Sequence, residues 1–186
     1  TKSFAVSAGD GIKTVSYECR DNSNNSTVVS DSILLDTVAP FAPTIITYTP
    51  GFNNTGIFTV GWSGGAGDGT GSGIATYDIR RSADSGVSWT TVITGATGTS
   101  FTQSPALSQG SYRYQVRAVD NAGNIGIYSS NTNVAVVDTT LPLPPTSIMY
   151  APNPNTTGTQ VVTWSGASDS GGSGIATYDI RRSADS

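Results

Sequence analysis

The chain contains no histidine and a single cysteine, Cys19. Without histidine, neither a Ser-His-Asp nor a Cys-His nucleophile system can be assembled. A zinc site of the usual His/Cys kind is excluded on the same ground, and a lone cysteine permits no intramolecular disulfide. Charge is scarce too. Charged residues make up 12% of the 186 positions, well below the roughly 25% usual in soluble domains. Lys occurs only at Lys2 and Lys13 and Glu only at Glu18, so the acids are almost all Asp. The formal net charge of −4 argues against nucleic acid, which calls for a basic face. No apolar run approaches the roughly 20 residues needed to span a bilayer, and residues 1–30 show no charged-then-apolar leader pattern. An enzyme needs a cluster of titratable groups in a pocket; only Asp pairs remain for that task, and none is close in sequence within a strand frame. The expectation is a non-enzymatic protein that requires no cofactor.

What is present is repetition. The stretch GSGIATYDIRRSADS occurs at Gly71–Ser85 and returns unaltered at Gly172–Ser186. The copies lie about 100 residues apart, the length of one small β-sandwich, and self-similarity at domain spacing signals a tandem array. Asp138-Thr139-Thr140-Leu141-Pro142 echoes Asp36-Thr37-Val38-Ala39-Pro40, and Trp164 echoes Trp62. These repeats divide the chain into residues 1–39, 40–139 and 140–186.

Residues 40–139 read as one complete all-β unit. Strands are expected at Thr44–Tyr48, Gly56–Trp62, Ile74–Arg81, Ser88–Ile93, Thr99–Gln103, Ser111–Val119 and Asn131–Val137. Seven short strands separated by turn signals point to a Greek-key sandwich, and no capped apolar stripe at helical spacing occurs. Phe58, Val60 and Trp62 alternate inward, as do Tyr77 and Ile79, and Tyr112, Tyr114, Val116 and Ala118. In residues 1–39, Val15, Tyr17 and Cys19 alternate in a strand, Asp21–Asn25 forms a turn, and Thr27–Leu35 returns as the other arm of a hairpin. Cys19 is expected to be a small buried hydrophobe. Residues 140–186 restart the program and stop after a third strand. Such partial units leave open edges, so the chain is expected to be a window on a longer array.

Several of these residues carry a family likeness. Trp62 on the second strand and Leu107…Tyr112-Arg113-Tyr114-Gln115-Val116-Arg117-Ala118 on the sixth resemble the fibronectin type III pattern. Tyr112 stands where that pattern has its tyrosine-corner residue. Ser72–Asp78, Asp120–Asn124 and the Asp-Thr-x-x-Pro linker are similar to phrases of bacterial extracellular Ig-like and fibronectin type III-like repeats. The N-terminal piece departs from the pattern, with Lys13 at the Tyr112 position and Cys19 at the Ala118 position. The resemblance implies tandem Ig-like/fibronectin type III-like β-sandwiches, one complete unit flanked by two partial ones. It also implies an extracellular or cell-surface setting; family membership gives architecture, not a ligand.

In that topology the loop Ser63–Gly73, the loop Asp120–Gly126 and the entering linker share one pole. Asp36, Asp68, Asp120, Asn121 and Asn124 could then converge where one unit meets the next, offering the oxygen ligands calcium wants. The bland reading is that Asp and Asn simply make turns. Arg80, Arg113 and Arg117 should share an outward face with Asp78, paired among themselves rather than set out for an anion. The glycines of 64–73 join two strands and are no phosphate cradle, which requires a following helix. Trp89 is the aromatic expected to be partly exposed, although a single ring makes no sugar platform. Asn24, Asn25, Asn53 and Asn155 head glycosylation sequons. An isopeptide crosslink is not expected, because the complete unit has no Lys.

The leading expectation is a structural repeat segment of a long secreted or surface-anchored protein, a stalk, fibre or filament serving spacing, adhesion or assembly. Its partners would be neighbouring repeats of the same chain, or copies of itself through strand addition between the partial units. The alternative is a carbohydrate- or ligand-binding accessory module of an adhesin or a secreted hydrolase.

Overall fold

Runs of alternating apolar and polar residues, broken by Gly, Pro, Asn and Asp, leave this chain one economical choice, strands joined by tight turns. The computed structural model describes residues 3, 5–130, 133–151, 154 and 156–183, and its elements are all strands. In the middle unit β3 (Ile45–Thr49), β5 (Thr59–Ser63) and β8 (Ser100–Thr102) form one sheet in the order β3-β5-β8. β4 (Phe52–Asn53), β6 (Ile74–Ser82), β7 (Thr90–Ala96), β9 (Gly110–Asp120) and β10 (Ala135–Val137) form the other, in the order β4-β10-β9-β6-β7. The seven expected strands are all found, with bounds shifted by a few residues. The last of them, expected at Asn131–Val137, is shorter as β10, and residues 131 and 132 lie outside the described residues. β4 is an addition. At Pro50-Gly51 the chain leaves β3 and crosses to the opposite sheet, where Phe52 and Asn53 pair in parallel with Val136 and Val137.

The two sheets meet through aromatic rings. Tyr114, fully buried on β9, packs against Tyr48, Phe58 and Phe101 with centroids 5.9, 5.9 and 5.8 Å away. Trp62 meets Tyr77 edge-on at 5.4 Å. Ile46, Val60, Ile79, Val116, Ala118, Ala135 and Val137 fill the rest of the core. Such rings bring large apolar area and a preference for tilted contacts. The Tyr114 hydroxyl donates to Gln103 Oε1 at 2.7 Å, and Gln103 Nε2 donates to the Pro105 carbonyl at 2.9 Å. Burial pushes the Tyr114 hydroxyl up to about 12. The Tyr112 hydroxyl donates to the Ser108 carbonyl at 2.9 Å, the back-bond of a tyrosine corner.

The flanking pieces have different fates. β1 (Gly11–Arg20) and β2 (Ser26–Leu35) form a regular hairpin from Gly11↔Leu35 to Arg20↔Ser26. Its alternation exists, but among the described residues no second sheet covers it: Tyr17 is 71% exposed, Ile12 74%, and Cys19 is exposed rather than buried. Burial needs a facing sheet, and residues 1–39 supply only one. In the third piece β11 (Ser147–Ala151) pairs with β12 (Val161–Ser165), and Trp164 lies 5.2 Å from Tyr178, as Trp62 lies against Tyr77. The expected third strand is absent: residues 175–183 form no ladder, although Ile175–Arg182 has the same sequence as Ile74–Arg81. β6 is held between β7 and β9, and among the described residues no strand lies beside residues 175–183 in that way.

Replacing Tyr114 by Phe removes one buried donor and leaves Gln103 Oε1 short of its best partner. An unsatisfied buried group costs about 1–3 kcal/mol, so chemical denaturation of Tyr114→Phe should show a loss of that size. A change below about 0.5 kcal/mol would contradict the role given to this bond.

Candidate functional site

The candidate site is the pole where the first linker enters the middle unit. Asp36 follows β2 directly, and its carboxylate makes the local turn, Oδ1 accepting from Val38 N at 3.2 Å. Its Oδ2 then reaches into the next unit and accepts from Ser72 N at 2.7 Å. The linker continues as a strand-like strip along that unit. Phe41 N donates to the Gly67 carbonyl at 2.8 Å and Thr44 N to the Gly64 carbonyl at 2.9 Å. Pro40 and Pro43 are buried. Gly126 packs against the Pro40 carbonyl so closely that a Cβ would collide with it.

Two loops complete the pole. Asp68, in the β5–β6 loop, accepts from Gly73 N at 2.8 Å through Oδ2, and its own carbonyl accepts from Gly71 N at 2.7 Å. Its carboxylate lies against the Cα of Gly71, leaving no room there for a side chain. Asp120, at the end of β9, accepts from Ala122 N at 2.9 Å and Asn124 N at 2.8 Å through Oδ1, and from Asn124 Nδ2 at 2.8 Å through Oδ2. One oxygen from each of Asp36, Asp68 and Asp120 lies within 4.8 Å of the others. Asp36 and Asp120 are buried, at 7% and 2% exposure, and Asp68 is half-buried.

The sequence-predicted set is therefore brought together in part. The three aspartates converge, whereas the two asparagines brace the loops around them. Asn124 Nδ2 links Asp120 to the Asp36 carbonyl at 3.1 Å. Exposed Asn121 donates through Nδ2 to the carbonyls of Ser72 and Gly73 at 2.8 and 3.0 Å. Ser72 is the participant that sequence reasoning missed. It gives its amide to Asp36, and its Oγ accepts from Ala122 N at 3.0 Å. Its only signal was its place in a stretch that the chain repeats.

The same construction returns at the second junction. Asp138 makes the local turn with Thr140 N at 2.9 Å, and its Oδ2 accepts from Ser173 N at 2.6 Å. Asp169 Oδ2 accepts from Gly174 N at 2.7 Å, and Leu143 N donates to the Ser168 carbonyl at 2.7 Å. The turn at Asp21 repeats the Asp120 turn, accepting from Ser23 N, Asn25 N and Asn25 Nδ2 at 2.9, 2.8 and 2.8 Å. Each junction fragment in the chain thus carries part of one pattern.

Elsewhere the charged groups satisfy one another. On the outer face of β6 and β9, Arg117 pairs with Asp78 at 2.9 Å, and Arg80 Nε and Nη2 donate to Gln115 Oε1. The Arg80 guanidinium lies 4.9 Å from the Trp89 ring and 3.8 Å from the Tyr128 ring, with Arg117 4.7 Å from Tyr128. Trp89 is half-buried beneath that stack, and its Nε1 donates to the Gly86 carbonyl at 3.1 Å. Arg113 sits across from Ser82 at the far end of the face. Asn24 and Asn25 stand exposed on the first hairpin turn, Asn53 is half-buried, and Asn155 and Lys2 lie outside the described residues.

No family profile matches the sequence. The chain is 34% identical over 164 residues to Exoglucanase B of Cellulomonas fimi and 35% identical over 128 residues to Endoglucanase B of the same organism. Those alignments cover 85% and 67% of this chain but only 14% and 12% of the relatives, so the chain spans a small part of their length. Among solved structures it is similar to an Fn3-like protein from Clostridium thermocellum, at 25% identity and a TM-score of 0.41, over 54% of this chain and 93% of that one. The middle unit is a fibronectin type III-like sandwich by its own strand order.

The hydrogen bonds from Ser72, its side chain first and then its amide, hold the Asp36 carboxyl below its ordinary value of 3.8. A depressed folded value means that the closed junction binds fewer protons than the open one. Its contribution is therefore whole above about pH 4 and is lost as pH falls through the folded value. In an NMR titration the Ser72 amide shift should hold steady from neutrality to that point and move only below it. A midpoint above 3.8 would contradict the bond's strength.

Proposed function

We propose that the chain is a non-catalytic segment of a larger extracellular protein, whose fibronectin type III-like units serve as spacers with a set angle between neighbours. One observation carries the reading: each linker begins with an Asp that closes its own turn and also captures a backbone amide of the following unit, Asp36 with Ser72 and Asp138 with Ser173. A linker joined in this way belongs to both units, which limits bending without a large interface. The exoglucanase and endoglucanase relatives support an accessory position beside a glucan-hydrolysing domain, since the alignment takes in only a small share of each. A carbohydrate-binding role has less support. Trp89, the aromatic best placed for sugar stacking, already has Arg80 on its ring. Repeat units of this kind contact mainly their neighbours, so their number can vary without disturbing the rest.

Two measurements on the purified chain test this. Incubation with insoluble cellulose should leave it in the supernatant. Small-angle scattering should give the cross-section of a single sandwich and an elongated profile. Retention on cellulose, or a compact scattering profile, would overturn the spacer reading.

A further inference from the structure

The two flanking pieces carry opposite halves of one sandwich. β1 and β2 are the counterparts of β9 and β10: the pair Lys13↔Ile33 stands where Tyr112↔Ala135 stands, and the Asp21 turn repeats the Asp120 turn. β11 and β12 are the counterparts of β3 and β5, and Ile175–Arg182 has the sequence of Ile74–Arg81, the body of β6. The first piece thus holds part of the larger sheet. The third holds two strands of the facing sheet and the one strand that belongs beside β1. The strands without a counterpart among the described residues, β4, β7 and β8, are all sheet edges in the middle unit.

Each piece is open where the other is shaped to fit. β9 takes β10 on one edge and β6 on the other, whereas β1 takes β2 alone among the described residues. Its outer edge offers a row of amides and carbonyls to another strand. Ile175–Arg182 is already set for that place. Asp138 and Asp169 hold the amides of Ser173 and Gly174 at its start, and Tyr178 lies against Trp164 as Tyr77 does against Trp62. Asn121 donates to the carbonyls of Ser72 and Gly73, which lead into β6. Its counterpart Asn22 is exposed and makes no side-chain hydrogen bond among the described residues. Tyr17, Ile33, Ile148 and Ile180 are exposed, although their counterparts Val116, Ala135, Ile46 and Ile79 are buried.

We propose that the third piece of one copy docks on the first piece of another, with Ile175–Arg182 adding antiparallel to the free edge of β1. The β6–β9 register, Tyr77↔Ala118 and Ile79↔Val116, then sets Tyr178 opposite Cys19 and Ile180 opposite Tyr17. A slip of one residue would turn Ile180 away from the new core. On the outward face Arg20 lies diagonal to Asp179 and Arg181 diagonal to Glu18, within reach of long side chains. The one like-charge contact, Glu18 with Asp179, is offset by both diagonals. Main-chain bonds supply affinity in such strand addition, and alternate side chains supply specificity. Donor and acceptor sit on different pieces, so the contact is head to tail and adds copies in an open series. A second copy is the occupant because this one chain contains both the vacant edge and the strand whose register fits it. The docking is independent of the spacer reading, which concerns the linkers alone.

Sedimentation velocity of the chain from about 10 µM to about 1 mM tests this. Dimers, trimers and longer species should appear in succession as concentration rises. Tyr17→Asp and Ile180→Asp alter exposed residues outside the middle unit, and each should weaken association at least about tenfold by setting a charge into the new core. Mixed in equal amounts, the two variants should form a dimer and stop there, because each supplies the intact half that the other lacks. Hydrogen exchange should show protection rising with concentration in β1 and Ile175–Arg182 but not in β7. A parent chain that stays monomeric or halts at a dimer would overturn the proposal. So would association that both variants leave intact, a mixture that stays monomeric, or protection gained at β7 instead.

Discussion

The contact of Tyr114 with Tyr48, Phe58 and Phe101 is where the two sheets of the middle unit meet, and the order in this chain follows from it. A β-sheet has two faces, and one of them must be covered for its apolar residues to leave water. In residues 40–139 both sheets are present, the rings interlock, and Ile79 is fully buried. In the flanking pieces only one sheet is present. Ile180, in the same sequence context as Ile79, is 64% exposed. Local propensity is identical at the two sites, so the difference belongs to the tertiary partner and not to the residues. Strand propensity measures fit to a half-buried surface, and it lapses where no such surface exists.

The junction extends that logic beyond a single unit. Asp36 directly follows one unit's ladder and is the first support of the next unit's loop. Ser72 and Gly73 are held by Asp36, Asp68 and Asn121, and the turn after β9 is held by Asp120. A loop fixed by so many short bonds is a continuation of the scaffold. The linker prolines and the buried Gly126 contact do the same work on the neighbouring strand.

Much of this could be read from residues alone, and the remainder shows where such reading stops. Period-two alternation identified Phe58, Val60, Trp62, Tyr112, Tyr114 and Val116 as inward, because the middle unit supplies both sheets. The same alternation misplaced Cys19 and Tyr17, since a pattern shows which face is apolar but not whether anything covers it. β4 escaped notice because two residues leave no periodic signal, and the sheet switch at Pro50-Gly51 is defined by its distant partner β10. Topology brought Asp36, Asp68 and Asp120 to one pole before any coordinates. The bracing roles of Asn121 and Asn124 depend on backbone groups whose directions no residue pattern specifies.

The central claim is that tertiary partners, the flanking strands β7 and β9 together with the facing sheet, and not local sequence, decide whether the repeated stretch forms a strand. The chain contains its own control, because Ile74–Arg81 and Ile175–Arg182 are the same eight residue types in two surroundings. Hydrogen exchange resolved to single amides compares them directly. Slow exchange in Ile74–Arg81, close to that of β9, together with exchange in Ile175–Arg182 near the rate of an unstructured peptide, is what the account predicts. Comparable protection of the two segments in the monomeric chain would contradict it.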